Sequence, residues 1–219
     1  MRLIAFGCSY TQGIGLEPHM ISPFVSKRSQ LAWPAVLGRK LACKVINRGV
    51  GGSCNKQITY SIMKVNFRPD DVVMILWTYP LRHSLLVSPR PSGWDGMMHG
   101  ATWEEHRPYQ EPIDEYYKRI VNNPCDSHFL TGIYINQAHL YLNSLGIENY
   151  HYQAKNDQRE FFPWVVPEVN QGLLGPDYAK QQGVPDNEIY ALDGKHMGTW
   201  AHEELAQRMF DKHFSDAII

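Results

Sequence analysis

The chain has 219 residues, with 21 lysines and arginines against 22 aspartates and glutamates. That length suits one domain with a full hydrophobic core, and the even charge argues against a dedicated nucleic-acid binder, which carries a basic excess. No stretch approaches the ~20 apolar residues that span a bilayer, and Met1-Arg2 leads into a strand rather than a signal sequence, so a cytoplasmic protein without membrane contact is expected.

Residues 2–6 read as a first strand, and residues 14–30, with Pro18 and Pro23, as a loop. A helix is expected over 31–42, then a strand from Lys44 to Asn47. Residues 53–66 read as a helix with Ser53 at the N-cap and Ile58, Ile62 and Val65 on one face. Val72 to Trp77 is a continuous apolar run, the pattern of a strand buried on both faces. Residues 79–112 are rich in proline, lack periodicity and read as a long insertion above the sheet, the kind of loop that often serves as a lid. Helices are expected over 113–122 and 127–145, the latter carrying Ile133, Ile135, Ala138, Leu142 and Leu145 and ending at Gly146. Ile147 to Tyr152 reads as a strand, 155–187 as a second irregular insertion, Ile189 to Leu192 as a short extended piece, and Gly198 to Phe214 as the last helix. Strands alternating with helices imply a mainly parallel sheet, so ligands gather outside the strand C-terminal ends. The whole chain, 1–219, reads as a single domain.

Three segments carry chemistry. In Phe6-Gly7-Cys8-Ser9-Tyr10-Thr11-Gln12-Gly13 a serine follows a strand among small residues, where a substrate can approach its hydroxyl and a backbone N–H can hold an oxyanion. The ordinary alternative is a plain turn. Asn47-Arg48-Gly49-Val50-Gly51-Gly52-Ser53 runs from strand to helix through a turn that exposes N–H groups, an anion cradle or simply a tight turn. Asp193-Gly194-Lys195-His196 supplies an imidazole to take a proton from a serine and a carboxylate to orient it. Alternatively, Asp193 caps the helix that follows.

Taken in this order, the segments resemble the SGNH (GDSL-type) hydrolase superfamily. Gly7-Cys8-Ser9-Tyr10-Thr11-Gln12-Gly13 resembles its first block, Asn47-Arg48-Gly49-Val50-Gly51-Gly52 its second, and Asp193 to His196 its last. Leu31-Ala32-Trp33-Pro34 looks like the family's first helix. The resemblance covers residues 1–80 and about 185–215. It implies a flavodoxin-like three-layer α/β/α sandwich, Ser9 as nucleophile, His196 as general base, Asp193 as its orienting acid, and the N–H groups of Ser9 and Gly52 in the oxyanion hole. It implies ester hydrolysis without cofactor or metal, here of a short acyl group on a small molecule or carbohydrate; acyl transfer fits the same residues.

The chain departs from the family pattern twice. Cys8 replaces the first-block aspartate. The third block should supply an oxyanion-binding asparagine, but Trp77-Thr78-Tyr79-Pro80-Leu81-Arg82 contains none. Losing such a donor costs ~10²–10³ in rate unless another group replaces it; Thr78, Tyr79 and Arg82 are the candidates. The Gly-Cys-Ser block and the Trp-Thr-x-x-x-Arg segment resemble an uncharacterised branch common in bacteriophages. Two rival functions stay open: a binding protein that keeps this fold with weak or lost catalysis, and a phosphate-binding enzyme using residues 47–53, although a P-loop lysine is lacking. Cys8 is a second conceivable nucleophile, but adjacent side chains on extended backbone point oppositely. Arg82 and Arg90 are candidates for an anionic substrate group. Trp94, Trp103, Tyr109, Phe161, Phe162 and Trp164 either line a sugar cleft or fill small cores. His99, Glu104, Glu105 and His106 match no zinc spacing, none of the four cysteines forms Cys-x-x-Cys, and His202 suits packing or a cap contact.

Overall fold

The computed structural model describes residues 1–17, 28–82, 124–153, 176–194 and 196–215. Strands β1 (Arg2–Gly7), β2 (Lys44–Asn47), β3 (Asp71–Trp77) and β4 (Glu148–Gln153) pair in parallel in the order β2-β1-β3-β4. Ile4 lies opposite Ile46 on one side and Val73 on the other, and Ile75 lies opposite His151. All seven residues of β3 are buried, as its unbroken apolar run requires.

Helices cover both faces, because successive side chains of a strand point to opposite sides. Leu3 and Ala5 of β1 and Val72, Met74 and Leu76 of β3 pack against α2 (Trp33–Lys40) and α7 (Thr199–His213), through Trp33, Leu37, Leu205 and Met209. Ile4, Phe6, Val73, Ile75 and Trp77 pack against α3 (Asn55–Met63) and α4 (Pro124–Ser144), through Ile58, Ile62, Ile135, Ala138 and Leu142. The architecture is thus a three-layer α/β/α sandwich with flavodoxin-like strand order. Short helices α1 (Ser9–Gln12), α5 (Pro176–Gln181) and α6 (Asp186–Ile189) complete the described elements. At the N-terminal end of the two central strands, away from Ser9, Arg2 clasps Asp71 with two bonds of 2.6 Å. Burial pushes the Asp71 carboxyl up, but bonds from Arg2 and the Arg68 N–H outweigh it and hold the group below the usual carboxylate range.

Several expectations need correction. Ser53 is not the N-cap of α3. Its N–H bonds the Val50 carbonyl within the turn, and Cys54 caps the helix, with Gln57 Oε1 accepting the Cys54 N–H. Part of 155–187 is helical, in α5 and the start of α6, and Ile189 belongs to α6 rather than to an extended piece. Ile133 and Leu145 lie on the exposed side of α4 and beyond its end, while Ile135, Ala138 and Leu142 are buried. The expected helix over 113–122 and most of the 79–112 insertion lie outside the described residues, as do Arg90, His99, Glu104, Glu105, His106 and the six cleft aromatics. Among the described residues, no helix is long and apolar enough to cross a membrane.

Candidate active site

Ser9 stands where β1 becomes α1. Cys8 is the N-cap, and its carbonyl accepts the N–H groups of Thr11 and Gln12. Ser9 is 5% exposed and Cys8 is fully buried, with Ser9 Oγ 4.0 Å from Cys8 Sγ. The two side chains are therefore neighbours. The opposed arrangement expected of extended backbone does not apply, because the chain turns between them.

The glycine turn is fastened to this corner by amide side chains. Asn47 Oδ1 accepts the Gly49 N–H at 2.9 Å, and Asn47 Nδ2 donates to the Thr11 carbonyl at 2.6 Å. The Gly51 N–H donates to Gln12 Oε1 at 2.5 Å, and the Val50 N–H to the Gly7 carbonyl at 3.1 Å. Glycine is needed at position 49, where a Cβ would lie 2.4 Å from the Gln12 backbone nitrogen. The Gly52 N–H has no partner among the described residues.

Beyond β3, Asn55 secures Thr78. Its Oδ1 accepts the Thr78 N–H at 2.9 Å, and its Nδ2 donates to the Thr78 carbonyl at 3.1 Å and to Thr131 Oγ1 at 3.2 Å. The Thr78 backbone is thus occupied, whereas its hydroxyl is buried without a partner among the described residues. Burial, then the neighbouring Tyr10, pushes the Tyr79 phenol above its ordinary range, so it stays protonated. The Arg82 guanidinium lies 5.2 Å from the centre of the Tyr79 ring.

The histidine arrives from the other end of the chain. His196 Nδ1–H donates to Asp193 Oδ2 at 2.5 Å, and the His196 N–H donates to Asp193 Oδ1 at 3.0 Å. The carboxylate thereby fixes both the ring and the turn. Asp193 does not cap α7, whose N-cap is Gly198. The turn docks beside α1: the Leu192 N–H donates to the Gly15 carbonyl at 3.0 Å. Gly15 has φ +82°, and a Cβ there would lie 2.7 Å from Ala191 Cβ and 3.0 Å from Asp193 Oδ1, so only glycine lets the segments meet. The His196 ring meets the Tyr10 ring edge-on, with centres 5.7 Å apart. The imidazole–carboxylate pair thus lies against the residue that follows Ser9. His202 is separate: burial, then the nearby His196, pushes it down to about 3, and its Nδ1 accepts the Trp33 N–H at 3.1 Å at the start of α2.

Tyr10, Gln12 and Asn55 were not among the sequence candidates. Asn55 had a faint signal as a polar residue at the first position of a helix. Its partners lie 23 and 76 positions away and leave no local pattern.

No family model matches this chain. No curated protein matches it either. Among solved structures, the chain is similar to a member of the lipolytic protein G-D-S-L family from Veillonella parvula, with 14% identity, 98% of each chain covered and a TM-score of 0.45. It is also similar to a carbohydrate acetylesterase from Sinorhizobium meliloti, with 14% identity, 100% of this chain and 99% of that one covered, and a TM-score of 0.46. Likeness at this level assigns no activity.

Proposed function

We propose that the protein is a serine esterase of SGNH type that hydrolyses or transfers a short acyl ester, with a carbohydrate as the alcohol. The observation that carries this reading is the Asp193–His196 pair docked beside the one-turn helix that begins at Ser9. A partly solvated hydrogen bond of this kind adds only about 0.5–1.5 kcal/mol to stability, so folding alone gives little reason for its geometry.

In the proposed reaction Ser9 Oγ attacks the ester carbonyl while its proton passes to His196 Nε2, the nitrogen left free by the Asp193 bond. The imidazolium, steadied by Asp193, returns that proton to the departing alkoxide as the C–O bond breaks. A water, or an acceptor hydroxyl in transfer, then loses its proton to His196 and attacks the acyl-enzyme. Ser9 leaves as the alkoxide and recovers the proton. The Ser9 and Gly52 N–H groups hold the oxyanion. The Thr78 hydroxyl, without a partner among the described residues, is the third donor, and the Tyr79 hydroxyl is the alternative.

Hydrolysis of p-nitrophenyl acetate and butyrate tests the reading. Ser9→Ala and His196→Ala should each lose about 10⁴ or more in kcat, while Cys8→Ala stays active. Loss of activity in Cys8→Ala, with Ser9→Ala active, would make the thiol the nucleophile. A second reading, a ligand-binding protein with weak chemistry, draws on the missing asparagine and on the occupied Thr78 N–H. No turnover by folded wild-type protein would bring it forward.

A further inference from the structure

Arg82 is unlike the other described arginines that have contacts in the fold. Arg2 clasps Asp71, Arg208 pairs with Glu204, Arg39 donates to the Gln30 carbonyl at 2.7 Å and Arg28 to the Asn47 carbonyl at 3.4 Å. The last two line a cavity of about 490 Å³ between α2 and β2, away from Ser9, where their bonds already occupy them. Arg82 has no carboxylate partner among the described residues, and its Nη1 is buried without a hydrogen bond. Leaving a charged donor buried and unpaired is costly, and a folded protein tolerates it where a ligand supplies the acceptor. Arg82 is also tied to the site. It lies over the Tyr79 ring, Tyr79 neighbours Tyr10, and Tyr10 meets His196.

We propose that this site recognises an anionic ester: Arg82 binds a carboxylate or phosphate carried by the substrate, with the Tyr79 ring holding the guanidinium flat for a two-pronged contact. The proposal rests on the esterase reading for its location and makes a separate claim about ligand charge. A guanidinium fork matches both oxyanion groups, and hydrogen bonds between charged groups are stronger than neutral ones.

The test uses three acetyl esters of one phenol core: 4-acetoxybenzoate, 4-acetoxyphenyl phosphate and the neutral 4-acetoxybenzamide. Wild-type kcat/KM should favour at least one anionic ester over the neutral one by about tenfold or more, mainly through KM, and which anion is preferred separates carboxylate from phosphate. In Arg82→Gln the ratio should collapse towards one, and Arg82→Lys should restore part of it. Because the readout is a ratio within each variant, a general loss of folded protein does not imitate it. No anionic preference in wild type, or a preference that survives Arg82→Gln, overturns the proposal. Calorimetric binding of 4-acetamidobenzoate and phenyl phosphate to Ser9→Ala separates this claim from catalysis. Binding weakened at least tenfold by adding Arg82→Gln, with no ester turned over by wild type, would keep the anion site and sink the esterase. Binding of both anions unchanged by Arg82→Gln would sink the anion site alone.

Discussion

The corner that carries Ser9 and the turn that carries His196 are held by different means. Around Ser9, the amides of Asn47, Gln12 and Asn55 reach across 23 to 76 residues to bond backbone or hydroxyl groups, and Ser9 and Thr78 are nearly sealed from water. The Asp193 turn relies on a few backbone bonds to Gly15 and within itself, and the side chains of Asp193 and His196 are each about a quarter exposed, at 26% and 25%. A nucleophile and its oxyanion donors gain from being fixed before substrate arrives. A base that alternately takes and gives a proton must tolerate charge, and burial penalises charge. His202, six positions after His196 and fully enclosed, shows the other outcome: it is driven to about 3 and serves as a neutral acceptor.

This contrast predicts that changes in the exposed turn cost rate with little stability, whereas changes to the amide clamps of the buried corner cost stability. Its largest expected break is Asp193→Asn. It should lower kcat on p-nitrophenyl acetate by about 10⁴, because the amide no longer holds the same tautomer. Activity within a few-fold of wild type would remove Asp193 from the relay. On the buried side, Asn55→Ala strands the Thr78 N–H and carbonyl and should destabilise the fold by about 2–4 kcal/mol, read from urea midpoints. A change below about 0.5 kcal/mol would mean that the amide clamp contributes little.

Acid should expose the buried histidines. His202 and His151 are both pushed down to about 3, the first by burial and then His196, the second by burial and then His139. The unfolded chain protonates them near 6.5, so between about 6.5 and 3 it binds more protons than the native state. Stability from these groups is therefore complete above about 6.5 and falls as pH drops through that window, by at most about 1.4 kcal/mol per pH unit for each histidine. Denaturant midpoints from pH 8 to 4 would show the slope; a flat profile would mean that both rings take up protons in the native state as readily as in the unfolded chain. The smallest expected effect closes the comparison: Asp193→Asn should change the unfolding free energy by less than about 0.5 kcal/mol, despite its cost in rate.

What was readable in the sequence follows the range of the interactions. β2 and β3 stand within a residue of their expected bounds because apolar runs and punctuating glycines are local signals. The Asp193–His196 contact was also legible, since three residues of separation suffice to form it. The N-cap of α3 was misplaced by one residue because Ser53 and Cys54 both suit the position, and a turn bond to Val50 decides between them. Asn55 and Tyr10 were missed for a different reason: an asparagine that clamps a strand end through space resembles any polar residue at a helix start. The helices at 176–181 and 186–189 are too short to display a period.

The bond from Trp33 N–H to His202 has one further consequence. A ribosome delivers α2 well before α7, yet the two share one face of the sheet, and the imidazole of the later helix completes the first turn of the earlier one. Until α7 emerges, the nascent chain must carry an uncovered apolar layer, of the kind that engages chaperones. Closure of this layer therefore waits on the synthesis of α7.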